Sequence, residues 1–553
     1  MAEERTGGTG EQTGSATDTN ATLDAAIAAV GAGETSRADT LCRQVLKTDP
    51  DNAMARYLQA HVAWQGGDEV GAAAQFTSAL SRDPNLVEAH NDLGNLRWHQ
   101  ERAADAAESY RAALAANPGF AEAHNNLGVA LRHLGQFDAA IACFRDALAR
   151  RPDHATAHYN LCGLLERTNR LTELREAVAA ARAACPASPY VALRAGQLAV
   201  RDGEHAEARR VLEAIEPPPG DLALEGEQQA LLAHVCDRLD DPDAAFAHAA
   251  ESNRCQRLSP AARDSDPVRY RAHLARLAKR FTPAWLAKWR PIGDAADART
   301  PVFLIGFPRS GTTLLDTILR SHPDVAVVEE QGGVSAMLAH LAAHKGEHPE
   351  ALEYLSPDDG AALRDAYWAE MARHLPDGDW PPVIVDKLPL NMVEAGAIHR
   401  VFPGTRFLFV QRHPCDCVLS AFMHAFRLND AMANFLRLRD TATLYDAAMR
   451  LWMQYRAELP LDVTTVVYED LIREFERTLT PVLDALGLDW TDDLYAHHET
   501  ARRRVRINTP SYSEVTQPIH TRARGRWTRY REHLEPVLPT LLPWAEHLGY
   551  GAD

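Results

Sequence analysis

Three things are missing from this 553-residue sequence, and each absence excludes a class of protein. No apolar run approaches the length of a membrane span, and the N-terminus has no basic-then-apolar signal pattern, which predicts a cytoplasmic protein without a membrane partner. No Cys-x-x-Cys pair occurs among the eight cysteines, as is typical of a chain with reduced thiols. The net charge of −18 leaves no basic excess and argues against nucleic acid as a partner.

The remaining composition is that of an ordinary globular protein, with 46% apolar and 24% charged residues. A chain of this length is expected to hold two to four domains. Residues 1–20 are rich in glycine, threonine and glutamate and are predicted to form a disordered tail.

Proline recurs every 34 residues in the N-terminal half, at Pro50, Pro84, Pro118, Pro152 and Pro186. An aromatic residue keeps the same spacing and follows an alanine by four positions, at Phe76, Tyr110 and Phe144. The pattern resembles the tetratricopeptide repeat, a pair of antiparallel helices with this period. It predicts an α-solenoid over residues 21–258, including a helical cap, and a helical connector over residues 259–298.

Three successive repeats carry a polar residue at the same position, namely Asp92, Asn126 and Asn160. An amide side chain offers both a donor and an acceptor, as a peptide backbone requires. In the similar array of O-linked N-acetylglucosamine transferase, Asn at such a position forms a ladder that grips peptide. The resemblance implies that this array binds a polypeptide acceptor or a partner protein; alternatively, these side chains only cap or hydrate the surface.

Short apolar runs alternate with helical patterns from residue 299 to residue 553, which predicts an α/β domain with a parallel sheet. The predicted strands are Val302–Ile305, Val325–Val328, Val383–Val385, Phe407–Val410 and Thr464–Val467. Polar residues follow all five strands. Because ligands of such sheets bind beyond the carboxyl ends of the strands, these residues are expected to share one crevice.

The first of these strands is followed by a loop with the spacing of a phosphate-binding P-loop, from Gly306 to Gly311. A nucleotide triphosphatase needs Lys where this chain has Thr312, and the fixed cation, Arg309, lies inside the loop. The sequence therefore predicts a P-loop-like cradle for a phosphate that does not serve Mg-ATP.

Two motifs carry a resemblance to sulfotransferases that use 3′-phosphoadenosine 5′-phosphosulfate (PAPS). The first is Pro308–Thr313, and the second runs from Arg412, at a strand end, to Ser420. The chain resembles a bacterial-type tetratricopeptide-repeat sulfotransferase whose C-terminal half is similar to tyrosylprotein sulfotransferases. The resemblance implies that Arg412 and Ser420 clamp the 3′-phosphate, and that the 5′-phosphosulfate is held by Arg309, Ser310, Gly311, Thr312 and Thr313.

The same resemblance assigns the catalytic residues. Glu330 matches the general base, and its neighbour Glu329 is the alternative, with a side chain expected to point the other way in an extended strand. Lys387 matches a lysine that stabilises the developing charge. Arg309 would assist, and Ser511 would contact the bridging oxygen and the 5′-phosphate.

Two further positions are expected near the nucleotide, Tyr468 beside the 3′-phosphate and Arg526 on the phosphates. No metal is expected, because a sulfuryl group carries less negative charge than a phosphoryl group and cationic side chains can replace Mg²⁺. The chain also departs from the family, since Gly332 and His424 replace two arginines of the animal enzymes. Acidic tyrosine peptides are therefore in doubt as acceptors.

Several alternatives remain open from the sequence. The acceptor could be a glycan, a lipid or a small molecule, or the chain could be a non-catalytic scaffold that senses PAPS. The run Arg502–Arg506 could hold an anionic acceptor or be a solvated face. Metal could bind at Cys415 and Cys417, or at three histidines with helical spacing, which are His340, His344 and His348. The oligomeric state is not predicted.

Overall fold

The computed structural model describes residues 11–292, 299–375, 378, 380–503 and 522–551. The chain divides into two compact units, residues 1–195 and residues 196–553. The first unit is an α-solenoid, and the second contains a five-stranded parallel sheet. The predicted fold class, a tetratricopeptide solenoid followed by a parallel-sheet α/β domain, is confirmed.

The first unit is built from consecutive helices joined by short turns. Its helices are α1 (Glu11–Gly31), α2 (Thr35–Thr48), α3 (Ala53–Gln65), α4 (Glu69–Arg82), α5 (Val87–His99), α6 (Ala103–Ala116), α7 (Ala121–His133), α8 (Phe137–Arg150), α9 (Ala155–Arg167), α10 (Leu171–Ala184) and α11 (Pro189–Arg201), the last of which crosses the boundary.

Glycine on the first helix of a repeat makes room for the aromatic ring on the second. A Cβ on Gly94 would lie 2.5 Å from Tyr110, and one on Gly128 would lie 2.6 Å from Phe144. Each ring therefore packs within its own repeat, between two helices that approach closely because one has no side chain there. The 34-residue pattern of small and aromatic residues is the consequence of this contact.

Two boundaries differ from the sequence expectation. Helix α1 begins at Glu11, inside the segment predicted to be disordered, and it continues into an alanine-rich stretch with high helix propensity. The predicted cap, residues 222–258, lies in the same compact unit as the sheet. Its side chains contact the sheet domain directly, since Asn253 Nδ2 donates to the Phe422 carbonyl at 2.8 Å.

The second unit contains α12 (His205–Glu213), α13 (Leu222–Arg238), α14 (Pro242–Arg257), α15 (Pro260–Arg263), α16 (Pro267–Arg280), α17 (Pro283–Leu286), α18 (Thr312–Leu319), α19 (Gly333–His344), α20 (Pro357–Ala372), α21 (Ala395–Val401), α22 (Pro414–Phe422), α23 (Leu438–Glu458), α24 (Tyr468–Arg473), α25 (Phe475–Leu486), α26 (His497–Arg503), α27 (Arg531–Leu534) and α28 (Leu538–His547).

The sheet has five parallel strands in the order β2-β3-β1-β4-β5. Its strands are β1 (Val302–Gly306), β2 (Val325–Glu329), β3 (Val383–Lys387), β4 (Arg406–Gln411) and β5 (Asp462–Val467). All five lie where the apolar runs were predicted. The chain leaves β1 toward β2 and β3 on one side and reaches β4 on the other, so a crevice forms beyond the carboxyl end of β1.

Both faces of the sheet are covered by apolar side chains, which explains why the strands are nearly continuous apolar runs. Phe303 and Phe407 lie in a cluster on one face with Trp452 of α23. Leu304 and Leu408 lie in a separate cluster on the opposite face. This burial fixes the strand register and thus the positions of the polar residues at the strand ends.

Within the described residues, no helix is long and apolar enough to cross a membrane. The eight cysteines are free thiols, and six of them are buried, namely Cys42, Cys162, Cys236, Cys255, Cys415 and Cys417.

Candidate active site

The loop after β1 has the form of an anion cradle. Gly311 is the N-cap of α18 in a left-handed conformation, with φ of 107°. A Cβ at this position would lie 2.4 Å from the Tyr468 ring, so only glycine fits. The Oγ atom of Ser310 is buried and has no hydrogen-bond partner among the described residues. Together with the N–H groups of the first turn of α18, this hydroxyl is suited to an anion.

The two phosphate motifs of the sequence meet in the structure. Arg309 Nε donates to Ser420 Oγ at 3.0 Å, although the two residues are 111 positions apart. Arg309 has φ of 71°, which is unusual for a residue with a side chain. This backbone conformation places the cation of the loop beside Ser420, in the last turn of α22.

Arg412 joins the loop to the C-terminal segment. Its Nη1 donates to the Arg309 carbonyl at 2.9 Å, and its Nη2 donates to the Ala523 carbonyl. The guanidinium lies 4.8 Å from the centre of the Tyr468 ring. Its Nε is buried without a hydrogen-bond partner among the described residues. Burial, the largest single effect, would lower the pKa of Arg412, but the surrounding acidic groups, among which Asp416 contributes most, together raise it, so the side chain stays cationic.

A lysine and two glutamates form the centre of the opposite side of the crevice. Lys387 is fully buried, and its Nζ lies 3.1 Å from Glu329 Oε1 and 2.9 Å from Glu330 Oε1. Burial alone would lower the pKa of Lys387, but the charges of Glu329 and Glu330 raise it above its ordinary value. Lys387 is therefore a fixed cation.

The prediction that the two glutamates point in opposite directions is wrong. Strand β2 ends at Glu329, and Glu330 turns with φ of 52° into the left-handed region. The alternation of an extended strand therefore stops one residue early, and both carboxylates reach Lys387. They still differ in access, because the side chain of Glu330 is 34% exposed and that of Glu329 is 6% exposed.

Asp386, the neighbour of Lys387, lies on the other face of β3. It is fully buried and accepts a hydrogen bond from Tyr367 Oη at 2.9 Å. Burial raises the pKa of Asp386 to about 7, against the opposing effect of that hydrogen bond. Asp386 is thus part of the core beside Tyr367 and does not share the charged cluster of Lys387.

Arg526, in the C-terminal segment, is ion-paired within the protein. Arg526 Nε donates to Asp237 Oδ1 at 3.0 Å, and Asp237 also accepts from Arg529 and Tyr530. The predicted phosphate contact of Arg526 stays a prediction, and here its guanidinium is paired with α13. Ser511, the other predicted residue of this segment, lies outside the described residues, as does most of the run Arg502–Arg506.

Asp416, which the sequence motifs did not single out, and His424 also shape this region. Asp416 on α22 accepts the backbone N–H groups of Gly525 and Trp527, both at 2.8 Å, and thereby fixes the turn that contains Ala523. His424 is buried, and burial together with the charge of Arg309 holds its pKa well below its ordinary value. His424 is therefore neutral and does not replace the charge of the arginine found at this position in the animal enzymes.

In the first unit, the predicted peptide ladder is hydrogen-bonded to itself. Asn126 Nδ2 donates to Asn91 Oδ1 at 3.1 Å and to Asn95 Oδ1 at 3.2 Å, across successive repeats. Asn160 Nδ2 donates to Asn125 Oδ1 at 3.0 Å. Asn91 and Asn125, the residues that precede the repeated position, were not among the residues predicted from the sequence.

Asp92, the first member of the ladder, is held in the same way. Its carboxylate accepts from Tyr57 Oη at 2.8 Å and lies 3.0 Å from His61 Nε2, both on the preceding repeat. The three predicted positions therefore join one repeat to the next. Peptide binding by Asp92, Asn126 and Asn160 stays a prediction.

Comparison with known families agrees with the two halves of the chain. Residues 301–492 match the sulfotransferase family. Residues 23–87 and 121–154 match the tetratricopeptide repeat. The chain thus combines N-terminal tetratricopeptide repeats with a sulfotransferase domain.

Several relatives are similar to part of the chain at low identity. An uncharacterised protein of Aquifex aeolicus is 27% identical over 322 residues, which cover 56% of this chain and 40% of that protein. Protein-tyrosine sulfotransferase 2 of Gallus gallus is 25% identical over 270 residues, covering 45% of this chain and 71% of its own length. Protein-tyrosine sulfotransferase 1 of Homo sapiens is 23% identical over 260 residues, which cover 45% of this chain and 69% of that protein.

Solved structures were also similar to part of the chain. The PilF protein of Pseudomonas aeruginosa has a TM-score of 0.33 at 16% identity, covering 44% of this chain and 95% of PilF. The tetratricopeptide-repeat protein YrrB has a TM-score of 0.27 at 22% identity, covering 31% of this chain and 88% of YrrB.

Proposed function

We propose that this chain transfers a sulfuryl group from PAPS to a hydroxyl group of a polypeptide that the repeat array binds. The observation that carries the proposal is the hydrogen bond between Arg309 and Ser420, which unites two distant phosphate motifs at one crevice. The pair of Glu330 and Lys387 lies at the carboxyl edge of the same sheet.

The residues around the loop suit the two phosphate groups of the donor. The buried Ser310 hydroxyl and the first-turn amides of α18 would bind the 5′-phosphosulfate, with Arg309 as the cation. Arg412 and Ser420 would bind the 3′-phosphate. Arg412 has a free donor for this purpose, since its Nε is buried without a partner among the described residues.

The proposed transfer step uses the charged residues at the ends of β2 and β3 together with Arg309. The acceptor oxygen attacks sulfur, an S–O bond forms, and the bond between sulfur and the 5′-phosphate oxygen breaks, which releases 3′-phosphoadenosine 5′-phosphate. Glu330 accepts the hydroxyl proton, because its carboxylate is the more accessible of the pair. Lys387, held as a cation by both glutamates, and Arg309 stabilise the negative charge of the leaving phosphate.

The polypeptide acceptor is supported by the combination of repeats and relatives. Tetratricopeptide arrays present an extended surface that suits a polypeptide. The similar proteins of Gallus gallus and Homo sapiens are protein-tyrosine sulfotransferases by name. The neutral His424 in place of an arginine makes a strongly acidic acceptor peptide less suited to this chain.

A second candidate is a glycan or small-molecule acceptor, which the hydrogen bonding of the array favours. Asn126 donates its amide to the preceding repeat and accepts from Asn125 at 3.2 Å. Asn160 is buried and also donates within the array. These side chains have little hydrogen-bonding capacity left for a peptide as long as the hydrogen bonds between the asparagines are intact.

The test is transfer from ³⁵S-labelled PAPS into a cell lysate by the full-length chain, with Glu330→Gln as the matched control. The proposal expects label in protease-sensitive material with the wild type and almost none with the variant. Label in protease-resistant glycan or in lipid would replace the polypeptide acceptor with the second candidate. Absence of transfer to any fraction would contradict the proposed activity.

A further inference from the structure

Two imidazole rings converge on one carboxylate away from the charged cluster of Lys387. His273 Nε2 lies 2.7 Å from Glu394 Oε1, and His348 Nε2 lies 2.8 Å from Glu394 Oε2. The ring centroids are 5.8 Å apart. One atom of each residue lies within 4.8 Å of the other two, which is close enough for all three to contact a single ion.

These residues come from three separate segments of the second unit. His273 is on α16, His348 follows α19, and Glu394 ends a short 3₁₀ helix, Pro389–Glu394, after β3. Glu394 and His348 are mostly buried.

The helical histidine pattern in the sequence does not form this cluster. His340 and His344 lie on α19 and stack with ring centroids 4.1 Å apart. Helix α19 ends at His344, so His348 leaves the helical register and joins His273 and Glu394 instead. The stacked pair therefore provides a matched set of control histidines.

A second cluster of possible metal ligands differs from the cluster around Glu394 because an arginine is paired with its carboxylates. Glu225, Glu251 and Cys255 also lie close together, but Arg254 pairs with Glu225 at 2.8 Å and with Glu251 at 2.7 Å. Arginine thus already neutralises that cluster. Among the described residues, the ion-pair partners of Glu394 are His273 and His348, and both can serve as neutral nitrogen ligands.

We propose that His273, His348 and Glu394 bind a divalent transition-metal ion of the Zn²⁺ class. Two imidazoles and one carboxylate are a donor set that zinc accepts, with a fourth position open to water. Ligand atoms around tetrahedral zinc lie about 3.3 Å apart when the bonds are about 2.0 Å long, so a small separation of the side chains suffices. The ion would tie α16 to the segment that follows β3.

The test is calorimetric titration of Zn²⁺ into the full-length chain after treatment with a chelator and its removal, with Mg²⁺ as the control ion. One equivalent of Zn²⁺ should bind, and Mg²⁺, which prefers oxygen ligands, should not. His273→Ala and His348→Ala should each weaken Zn²⁺ binding at least about 100-fold, because loss of an outer hydrogen-bond partner alone costs roughly 10–100-fold. The double variant His340→Ala with His344→Ala should bind like the wild type.

A thermal-melting series separates binding from folding. Zn²⁺ should raise the Tm of the wild type and of the control variant, and leave that of His273→Ala unchanged. His273 is the most exposed of the three side chains, so its substitution decides the question if His348→Ala fails to fold. The proposal is overturned if the wild type binds no Zn²⁺, if His273→Ala keeps wild-type affinity, or if the control variant loses it.

Discussion

The crevice beyond β1 and the repeat array both contain polar side chains that the sequence singled out, but the hydrogen bonding of these side chains differs. At the crevice, Ser310 Oγ and Arg412 Nε are buried without a partner among the described residues. In the array, Asn126 and Asn160 complete their hydrogen bonds with neighbouring repeats. Because an unpaired buried polar atom costs about 1–3 kcal/mol, the first pattern indicates a ligand site and the second a structural network.

The largest expected effect is at the crevice. Glu330→Gln keeps the shape of the side chain and removes its ability to accept a proton, so turnover should fall about 10²–10⁴-fold. The affinity for PAPS should change little. Steady-state rates with labelled PAPS measure the first quantity, and calorimetry measures the second.

Glu329→Gln is the matched control, since Glu329 contacts the same lysine but is less exposed. This variant should keep most of its turnover. Normal turnover of Glu330→Gln together with a large loss in Glu329→Gln would assign the base to the other glutamate.

The next effect concerns the 3′-phosphate. A charge-assisted hydrogen bond contributes about 1.5–3 kcal/mol, so Arg412→Ala should weaken binding of 3′-phosphoadenosine 5′-phosphate roughly 10–150-fold. Affinity for adenosine 5′-phosphate should change much less. Arg412 also contacts the Arg309 and Ala523 carbonyls, so an equal loss for both nucleotides would show that it only supports the loop.

In the array, the double variant Asn126→Ala with Asn160→Ala tests whether the ladder is a structural network. Loss of the ladder should lower the Tm, because Asn91, Asn95 and Asn125 each lose a hydrogen-bond donor. If the ladder also grips peptide, the KM for a protein acceptor should rise about fivefold to a hundredfold while that for PAPS stays constant. A lower Tm with unchanged kinetics would leave the ladder as a structural network only.

The smallest effect tests whether every unpaired buried atom indicates a ligand. Asp386 Oδ1 is also buried without a partner among the described residues, yet it lies in the core. The pKa of Asp386 is raised from 3.8 to about 7, so the folded state favours the protonated acid. The stability this provides is complete below pH 3.8 and is lost as the pH rises through 7.

Asp386→Asn, which stays neutral, should therefore gain Tm relative to the wild type between pH 5 and pH 8. Melting curves of both proteins at pH 5 and pH 8 measure this difference in Tm. The other titratable groups are the same in both proteins, so their effects on Tm cancel in the difference. A difference in Tm that does not vary with pH would show that Asp386 is ionised throughout, and that its unpaired oxygen has another explanation.

The fold was largely predictable because it follows from local patterns. The five strands follow from their apolar runs, and the 34-residue repeat follows from the packing of small residues against aromatic rings. Glu330 was identified through the resemblance to tyrosylprotein sulfotransferases, but its orientation depends on a left-handed backbone conformation that cannot be predicted from the residue type. Alternation therefore predicted the direction of the side chain incorrectly.

Contacts between distant segments were the part that the sequence did not reveal. Asp237 on α13 pairs with Arg526, almost three hundred residues later, and no motif marks it. Asn91 and Asn125 could have been noticed, because each precedes a repeated polar position. His273 and Glu394 became recognisable only when the fold placed them beside His348.

The most direct test of the contrast between the two regions is calorimetric titration of wild-type protein with 3′-phosphoadenosine 5′-phosphate and with adenosine 5′-phosphate. The account predicts one binding site per chain, and an affinity at least about tenfold higher for the nucleotide with the 3′-phosphate. Equal affinities, or no binding of either nucleotide, would contradict the proposal that Ser310 Oγ and Arg412 Nε bind the phosphates of a PAPS-type donor.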